Sequence, residues 1–269
     1  MTARRNLAVV IPESGPRHQW GALLDDFVRK TAGLTVYDDY ADPARSIDLA
    51  KQLSDDTSLY AVIGHFSSAA ARAAIPLYAA RGIRAVFPLS SADDVVSQHL
   101  KNALGVIAPM PSDSEQARAV AAYCAGRRAS AIALAPGTGL AREWIKLGQT
   151  LAQSPSDADD VEVLFVIGRL DEVAKAWPRL KAWQASGIEV VLSDDSWAGA
   201  RDFVTRTPRG ARLYFVRSEP GPSRLLHAAV SHAVAMRDLR SSVQDFSALW
   251  TYDAVHWVLE PMEASTVGA

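Results

Sequence analysis

Short runs of apolar, often β-branched residues alternate with segments of helical period along the whole chain. Most of these runs are continuously apolar, which is typical of strands that are buried on both faces of a parallel sheet. The pattern predicts strands at residues 7–11, 35–39, 60–64, 84–88, 105–109, 130–135, 161–168, 189–193 and 212–217. Because helical segments separate the strands, we expect right-handed crossovers and an α/β fold of doubly wound, Rossmann-like parallel sheets.

The segments between the strands carry apolar stripes at the spacing of an amphipathic helix. Trp20 and Val28 belong to one such stripe, and Val173, Trp177 and Trp183 belong to another. A tryptophan stripe of this kind indicates a packed core rather than a cofactor site. We therefore expect these helices to cover the faces of the sheets.

Two segments interrupt the alternation and predict a division into two lobes. Residues 108–113 contain two prolines and end in helix-capping residues, and residues 237–245 are polar. We interpret these two segments as the hinge between the lobes. Lobe 1 is expected to hold residues 1–110 and 245–269, with a final helix at 246–262, and lobe 2 residues 111–240.

Composition excludes several classes of protein. The 269 residues are 49% hydrophobic and 22% charged with a formal net charge of -2, which is typical of a globular chain with a substantial core. The sequence has no basic stripe for nucleic acid and no apolar run near the roughly 18 residues of a membrane span. The single cysteine, Cys124, allows neither an internal disulfide nor a CxxC metal site, and we interpret it as a small buried residue.

The chain as given shows no export signal, because the apolar run near Met1 is short and leads directly into Pro12. A single cysteine also agrees with a reducing compartment. We therefore expect a cytoplasmic location, or a periplasmic one if a leader has been removed.

The common motifs of catalysis are absent from the sequence. It contains no phosphate-binding P-loop, no nucleophile elbow, no HExxH and no paired CxxC, and its histidines are scattered. We therefore predict no catalytic residue, no metal and no cofactor.

Residues 137–142 read GxGxxR after a strand, but the third glycine of the dinucleotide fingerprint is missing. An ordinary strand-to-helix turn is the favoured interpretation, and a nucleotide-using enzyme the weaker alternative.

Two serine-bearing turns in lobe 1 carry the strongest functional signal. Ser67 and Ser68 follow one predicted strand, and Ser90 and Ser91 follow the next, each just before a helix. A serine there can cap the helix, and the free N–H groups and helix dipole can bind a carboxylate or phosphate. Both turns are expected at the carboxyl edge of one sheet, although the serines could equally be caps alone.

These turns resemble motifs of the type I periplasmic binding proteins, especially the leucine/isoleucine/valine-binding branch. The resemblance runs from Leu7 to about Met262 and rests on several motifs in the same order. They are Ser14-Gly15-Pro16 with Gln19-Trp20-Gly21, Val62-Ile63-Gly64-His65 with Ser68, Pro88 with Ser90-Ser91-Ala92, the turn at Glu219, and Thr251-Tyr252-Asp253-Ala254.

The resemblance implies a binding protein whose two lobes close on a small ligand, most simply an amino acid. By position, Ser68 and Ser91 match residues that hold the α-carboxylate, and Glu219 matches the acid that pairs with the α-ammonium. Trp20 matches a ligand-contacting aromatic residue. Ser67, Leu89 and Ser90 complete the turns on the lobe 1 side. The alternatives are that Glu219 is merely a solvated acid and that Trp20 packs in the core.

The sequence departs from the family pattern at several places. An aromatic position of the family falls near Pro136, so Trp197 becomes the candidate replacement in lobe 2. The lobe 1 disulfide of the family is impossible, since Ser67 stands where one partner would be. The resemblance implies a C-terminally shortened solute-binding or sensor domain. An intracellular interaction domain with a degenerate cleft, as a homodimer or fused to a partner protein, stays open.

Overall fold

The computed structural model describes residues 6–31, 33–101, 106–135, 137–152, 157, 160–219, 222–238 and 256–261. The described residues of Met1–Met110 and Pro220–Val255 form unit 1, and those of Pro111–Glu219 and His256–Ala269 form unit 2. No helix among the described residues is long and apolar enough to cross a membrane.

The predicted strands are all found, with bounds that shift by at most two residues. The elements in chain order are β1 Asn6–Ile11, α1 His18–Lys30, β2 Leu34–Asp38, α2 Pro43–Asp55, β3 Leu59–Ile63, α3 Ser68–Ala80, β4 Arg84–Val86, α4 Asp93–Lys101, β5 Val106–Ile107, α5 Asp113–Tyr123, β6 Ala129–Ala133, α6 Gly139–Lys146, β7 Val163–Ile167, α7 Leu170–Ala185, β8 Glu189–Leu192, a 3-10 helix Asp194–Gly199, α8 Ala200–Arg206, β9 Leu213–Glu219, α9 Pro222–Asp238 and β10 His256–Pro261.

Unit 1 is built on a parallel sheet with the strand order β2-β1-β3-β4-β5. The chain steps outward from β1 to β2 and then returns to β3 on the other side of β1. The order of the strands therefore reverses between β1 and β3, and a crevice is expected outside the carboxyl ends of these two strands. This arrangement confirms the predicted α/β class.

Helices cover both faces of this sheet. On one face, Leu7, Val9 and Ile11 of β1 pack with a cluster that includes residues of α9. On the other face, Ala8 and Val10 pack with residues of α2 and α3. The alternating side chains of one strand thus reach two separate apolar layers, as expected for a strand buried on both sides.

Helix α9 belongs to unit 1, so the predicted lobe boundary was wrong at this point. The predicted lobe 2, residues 111–240, includes residues 222–238, and the second hinge segment is predicted near 237–245. The structure shows why α9 packs elsewhere: its buried stripe completes the apolar layer on β1. The stripe consists of Leu226, Ala229, Val230 and Ala233. The chain changes units after Glu219, at the end of β9.

Unit 2 repeats the path of unit 1. Its sheet has the order β10-β9-β8-β7-β6, and β6 to β9 are parallel. Leu151 forms a parallel bridge with Ala131 of β6, on the side of β6 away from β7. The chain therefore also steps outward from β6 and returns to β7 on the other side. A second reversal of strand order lies between β6 and β7.

Strand β10 was not predicted from the sequence. The final helix expected at 246–262, assigned to lobe 1, is wrong for His256–Pro261, which pairs antiparallel with β9 in unit 2. This pairing covers the free edge of β9, which would otherwise expose unpaired backbone groups. The rest of that expected helix, including the motif at 251–254, lies outside the described residues.

The predicted core residues of unit 2 are buried as expected. Val173, Trp177, Leu180 and Trp183 of α7 pack in one cluster against β7, β8 and β9. Cys124 is also buried, and burial raises the pKa of its thiol to about 11. The thiol is therefore protonated at neutral pH and acts as a small apolar residue.

Gly64, the residue after β3, tests how tightly unit 1 is packed at its carboxyl edge. It has a φ of +119°, and a Cβ there would lie 2.1 Å from the carbonyl oxygen of Val10. Gly64→Ala should therefore lower the free energy of unfolding by about 3 kcal/mol or more. Gly82, with a φ of +64° and nothing within 4 Å of its Cβ position, is the matched control. Gly82→Ala should cost about 1 kcal/mol, and equal losses in chemical denaturation would contradict this packing.

Candidate functional site

The two predicted serine turns lie side by side at the carboxyl edge of the unit 1 sheet. We call residues 64–68 and 87–92 together the serine turns. The Gly64 N–H donates to the Val86 carbonyl at 2.7 Å, which fixes the first turn against the end of β4. The Ala92 N–H donates to Ser68 Oγ at 3.3 Å, and Ser90 Oγ donates to the His65 carbonyl at 3.3 Å. The structure thus brings the four serines of the prediction into one connected region.

Ser67 and Ser90 hold the turns in shape. Ser67 is buried and caps α3, accepting a hydrogen bond from the Ala70 N–H at 3.1 Å. Ser90 is completely buried, and its hydroxyl donates its hydrogen to the carbonyl of His65. Both side chains are therefore structural within the turns rather than open to solvent.

Ser68 and Ser91 are different because both are partly exposed. Ser68 Oγ is an acceptor for Ala92, so its own hydrogen stays available for donation. Within the described parts of the chain, Ser91 Oγ makes no hydrogen bond. Leu89, in the second turn, is half-buried and packs on the apolar cluster of β1 and β3.

The helices that begin beside the reversal point favour negative charge. Neither α1 nor α3 has an acidic residue in its first turn, whereas α4 has Asp93 and Asp94. Arg72 of α3 forms an ion pair with Asp94, and its hydrogen bond holds the pKa of that carboxyl below its usual value. The positive end of α4 is thus partly neutralised by its own side chains, while the end of α3 is not.

The loops after β1 and β2 frame the other side of this edge. Trp20 lies in the first turn of α1 and is half-buried, so it is neither fully in the core nor fully exposed. Asp38 Oδ1 accepts from the N–H groups of Glu13 and Tyr40 at 3.1 and 2.9 Å, which ties the two loops together.

Tyr40 is a residue that the sequence reasoning missed. It has a φ of 61°, an unusual conformation for a tyrosine, and the residue is 42% exposed. The ring lies against Gly15, where a Cβ would come within 2.7 Å of it. No local sequence pattern predicts this contact, because it joins two loops that follow different strands.

Glu219 ends β9 at the carboxyl edge of the unit 2 sheet. Its side chain is 40% exposed and forms an ion pair with Arg217, two residues earlier on the same strand. The carboxylate is therefore accessible, and its charge is partly balanced by the guanidinium.

Asp194 at the same edge is a second group that sequence reasoning missed. It begins the 3-10 helix after β8, and Gln116 of α5 donates to its Oδ1 at 2.8 Å. Burial and the neighbouring charge of Asp195 raise the pKa of Asp194 to about 8. Trp197 lies in the same 3-10 helix, but its side chain is outside the described part of the structure.

The GxGxxR turn is occupied by the protein's own groups. Thr138 caps α6 by accepting from the Ala141 N–H at 3.4 Å. Asp113 Oδ2 lies so close that a Cβ on Gly139 would come within 2.7 Å of it. A carboxylate at the first residue of α6 would repel a phosphate, so this turn is poorly suited to a nucleotide. Pro136 lies outside the described residues.

Metal-ligating residues do not converge in either unit, as far as the structure describes them. No group of three or more His, Cys, Asp or Glu side chains there could hold a metal ion.

Comparisons with known proteins establish the fold. No protein-family model matches the sequence, and no curated protein matches it significantly. A solved leucine-binding protein from Thermotoga maritima has a TM-score of 0.71 at 15% identity, covering 91% of this chain and 86% of that chain. LivJ from Streptococcus pneumoniae, a branched-chain amino acid transporter substrate-binding protein in complex with isoleucine, has a TM-score of 0.67 at 15% identity, covering 91% and 88%.

A solute-binding protein of an ABC transporter from R. palustris, in complex with benzoate, has a TM-score of 0.65 at 14% identity, covering 91% of this chain and 84% of that chain. The chain therefore has the type I periplasmic binding protein fold, which confirms the fold that the resemblance implies.

The raised pKa of Asp194 predicts how stability depends on pH. A carboxyl whose folded pKa lies above its unfolded value makes the protein less stable as pH rises through that interval, here from about 4 to about 8. Asp194→Asn should therefore raise the melting temperature at pH 8, by roughly 2–4 °C for each kcal/mol of stability regained, and change it little at pH 4. The exposed Asp48 provides the control Asp48→Asn, which should leave the pH profile unchanged. If the melting temperature of Asp194→Asn depends on pH as that of the unmodified protein does, the raised pKa of Asp194 is contradicted.

Proposed function

We propose that this protein is a non-catalytic binding protein for a small carboxylate ligand, most simply an amino acid, whose carboxylate binds at the serine turns. The observation that carries the proposal is that the four serines differ in burial and in hydrogen bonding. Ser67 and Ser90 are buried and used in the turns, whereas Ser68 and Ser91 are partly exposed with hydroxyl hydrogens left for donation.

Backbone donors support the same site. The first N–H groups of a helix have no acceptor within the helix. In α3 these are the N–H groups of Ser68 and Ala69, since Ala70 and Ala71 donate to the capping Ser67. Without an acidic side chain in its first turn, α3 presents these donors and its positive dipole end to a ligand.

Glu219 is the proposed partner of the ligand's ammonium group. It is an accessible carboxylate at the carboxyl edge of the unit 2 sheet. Its side chain is 40% exposed, so a ligand cation can reach the carboxylate from solvent. An amino acid offers a matching partner to each of these two groups.

A carboxylate without an ammonium group is the second candidate. Because Arg217 already balances part of the Glu219 charge, the protein does not require a cation from the ligand. The benzoate-bound R. palustris neighbour shows that this fold can hold such an acid. The two candidates share the serine turns and differ only in the use of Glu219.

A thermal-shift and calorimetry panel tests both candidates. The probes are the standard amino acids, beginning with L-leucine and L-isoleucine, together with benzoate and 4-hydroxybenzoate. A ligand that binds only the folded state must stabilise it, by about 2.7 kcal/mol at a hundred times its Kd. Stabilisation by an amino acid supports the main proposal, and stabilisation by the aromatic acids alone supports the second. If no probe stabilises the folded protein, the proposal is wrong.

Glu219→Gln separates the two candidates by charge. For an amino acid, the variant should weaken binding by about 1.5–3 kcal/mol, the range for a hydrogen bond to a charged group. Binding of benzoate should change less than about twofold, since benzoate has no ammonium group. The control is Glu162→Gln, which also removes an arginine-paired glutamate from unit 2 but lies before β7, at the amino edge of the sheet. Unchanged amino acid affinity in Glu219→Gln would remove Glu219 from the site.

Ser68→Ala should weaken binding of either class of ligand by a smaller amount, about threefold to tenfold, because the backbone donors of α3 remain. Ser58, whose hydroxyl donates to Asp56 just before β3, supplies the control Ser58→Ala at the amino edge of the same sheet. Titration calorimetry of both variants measures the difference. If both bind a carboxylate as tightly as the unmodified protein, the serine turns are not the carboxylate site.

A further inference from the structure

Three completely buried polar side chains form a hydrogen-bonded chain beneath the serine turns. His65 Nδ1 lies 2.7 Å from Asp39 Oδ2, and His65 Nε2 lies 3.1 Å from the Tyr78 hydroxyl. The imidazole, the carboxylate and the phenol ring are all excluded from solvent. We call these residues the buried triad.

The donors and acceptors of the buried triad match when His65 is neutral. Burial, together with the nearby Asp39 carboxylate, raises the pKa of Tyr78, so the phenol keeps its proton and can donate it to Nε2. Nδ1–H then donates to Asp39, which also accepts from the Ala41 N–H at 2.9 Å. Each ring nitrogen of His65 therefore has a partner of the correct kind.

The buried triad joins three parts of unit 1 that are far apart in the sequence. Asp39 directly follows β2, His65 lies in the turn between β3 and α3, and Tyr78 lies near the end of α3. Strands β2 and β3 do not pair with each other, since β1 lies between them. The imidazole is thus the polar link between the end of β2 and the first serine turn.

The backbone of the same histidine joins the two serine turns. Its carbonyl accepts from Ser90 Oγ, and the capping Ser67 follows two residues later. A shift of the His65 backbone, which carries the carbonyl that holds Ser90 and leads into α3, would stretch the hydrogen bonds of the ring. Because the ring is hydrogen-bonded at both nitrogens, it holds the His65 backbone, and with it the two serine turns, in one position.

From this geometry we infer that Asp39, His65 and Tyr78 are positioning residues for the carboxylate site at the serine turns. The inference rests on the proposed function. Polar groups in an apolar layer are costly to bury, and a fully satisfied network contributes a unique geometry rather than extra stability. Here the geometry that it specifies is that of the ligand-binding donors, which the buried triad itself does not touch.

Tyr78→Phe tests the inference with the smallest change, the loss of one hydroxyl. With L-leucine and benzoate as probes, the variant should bind the stabilising probe about threefold to tenfold more weakly, because the imidazole loses one of its two anchors. The matched control is Tyr123→Phe, which removes a phenol that donates to Glu189 at 2.6 Å in unit 2. Glu189 begins β8 at the amino edge of its sheet, so this variant should lose stability without losing affinity.

A double-mutant cycle separates positioning from a general loss of stability. If Tyr78 acts through the serine turns, Tyr78→Phe should weaken binding by less than about twofold in a Ser68→Ala background, whereas full additivity is expected for a merely structural residue. If Tyr78→Phe does not fold, Asp39→Asn serves instead, because an amide offers one oxygen for the two donors at His65 and Ala41.

The outcomes are distinct. If the unmodified protein binds neither probe nor any other member of the panel, the proposed function fails and the inference fails with it. If the unmodified protein binds a probe and the folded Tyr78→Phe variant binds it equally well, only the inference is overturned. Weaker binding in Tyr78→Phe with additive energies in the cycle also overturns it.

Discussion

A parallel sheet brings the carboxyl ends of its strands and the amino ends of the following helices to one edge, and both units of this protein are built in this way. The first N–H groups of each helix then need acceptors that the helix itself cannot supply. Whether the protein itself supplies these acceptors decides whether the helix end can bind a ligand. A helix whose donors are met by the protein's own side chains is closed, and one whose donors remain free can bind an anion.

The first turns of the helices differ in this respect. Acidic side chains lie in the first turns of α4, α5 and α7, and Asp113 lies against the first residue of α6. Helix α3 has only a serine cap and small residues there, and it begins next to the reversal of strand order. Small serine hydroxyls complete the set of donors, which explains why the proposed carboxylate site lies at this helix and not at the GxGxxR turn.

The strands and the serine turns could be predicted from the sequence because their signals are local. Continuous apolar runs marked the strands, and serines between a strand and a helix marked the turns that the structure places together. The errors arose where the deciding contact is non-local. The apolar stripe of α9 fits a helix on either unit, and only its packing against Leu7 and Val9 assigns it to unit 1. Likewise, β10 is a strand because β9 offers it a free edge.

The same reasoning explains which polar residues were missed. Asp39 and His65 are 26 positions apart in the sequence, and nothing around either residue indicates that they form a buried pair. Asp194 and Gln116 are 78 positions apart, and the raised pKa of Asp194 follows from burial that only the fold creates. Sequence patterns therefore locate the edge at which chemistry occurs, whereas the contacts beneath that edge need coordinates.

A crystal structure of the protein with L-leucine bound tests the central claim most directly. We expect the ligand's carboxylate oxygens at about 3 Å from Ser68 Oγ and from the first N–H groups of α3. Leucine bound with its carboxylate at another helix, or away from both serine turns, would contradict it.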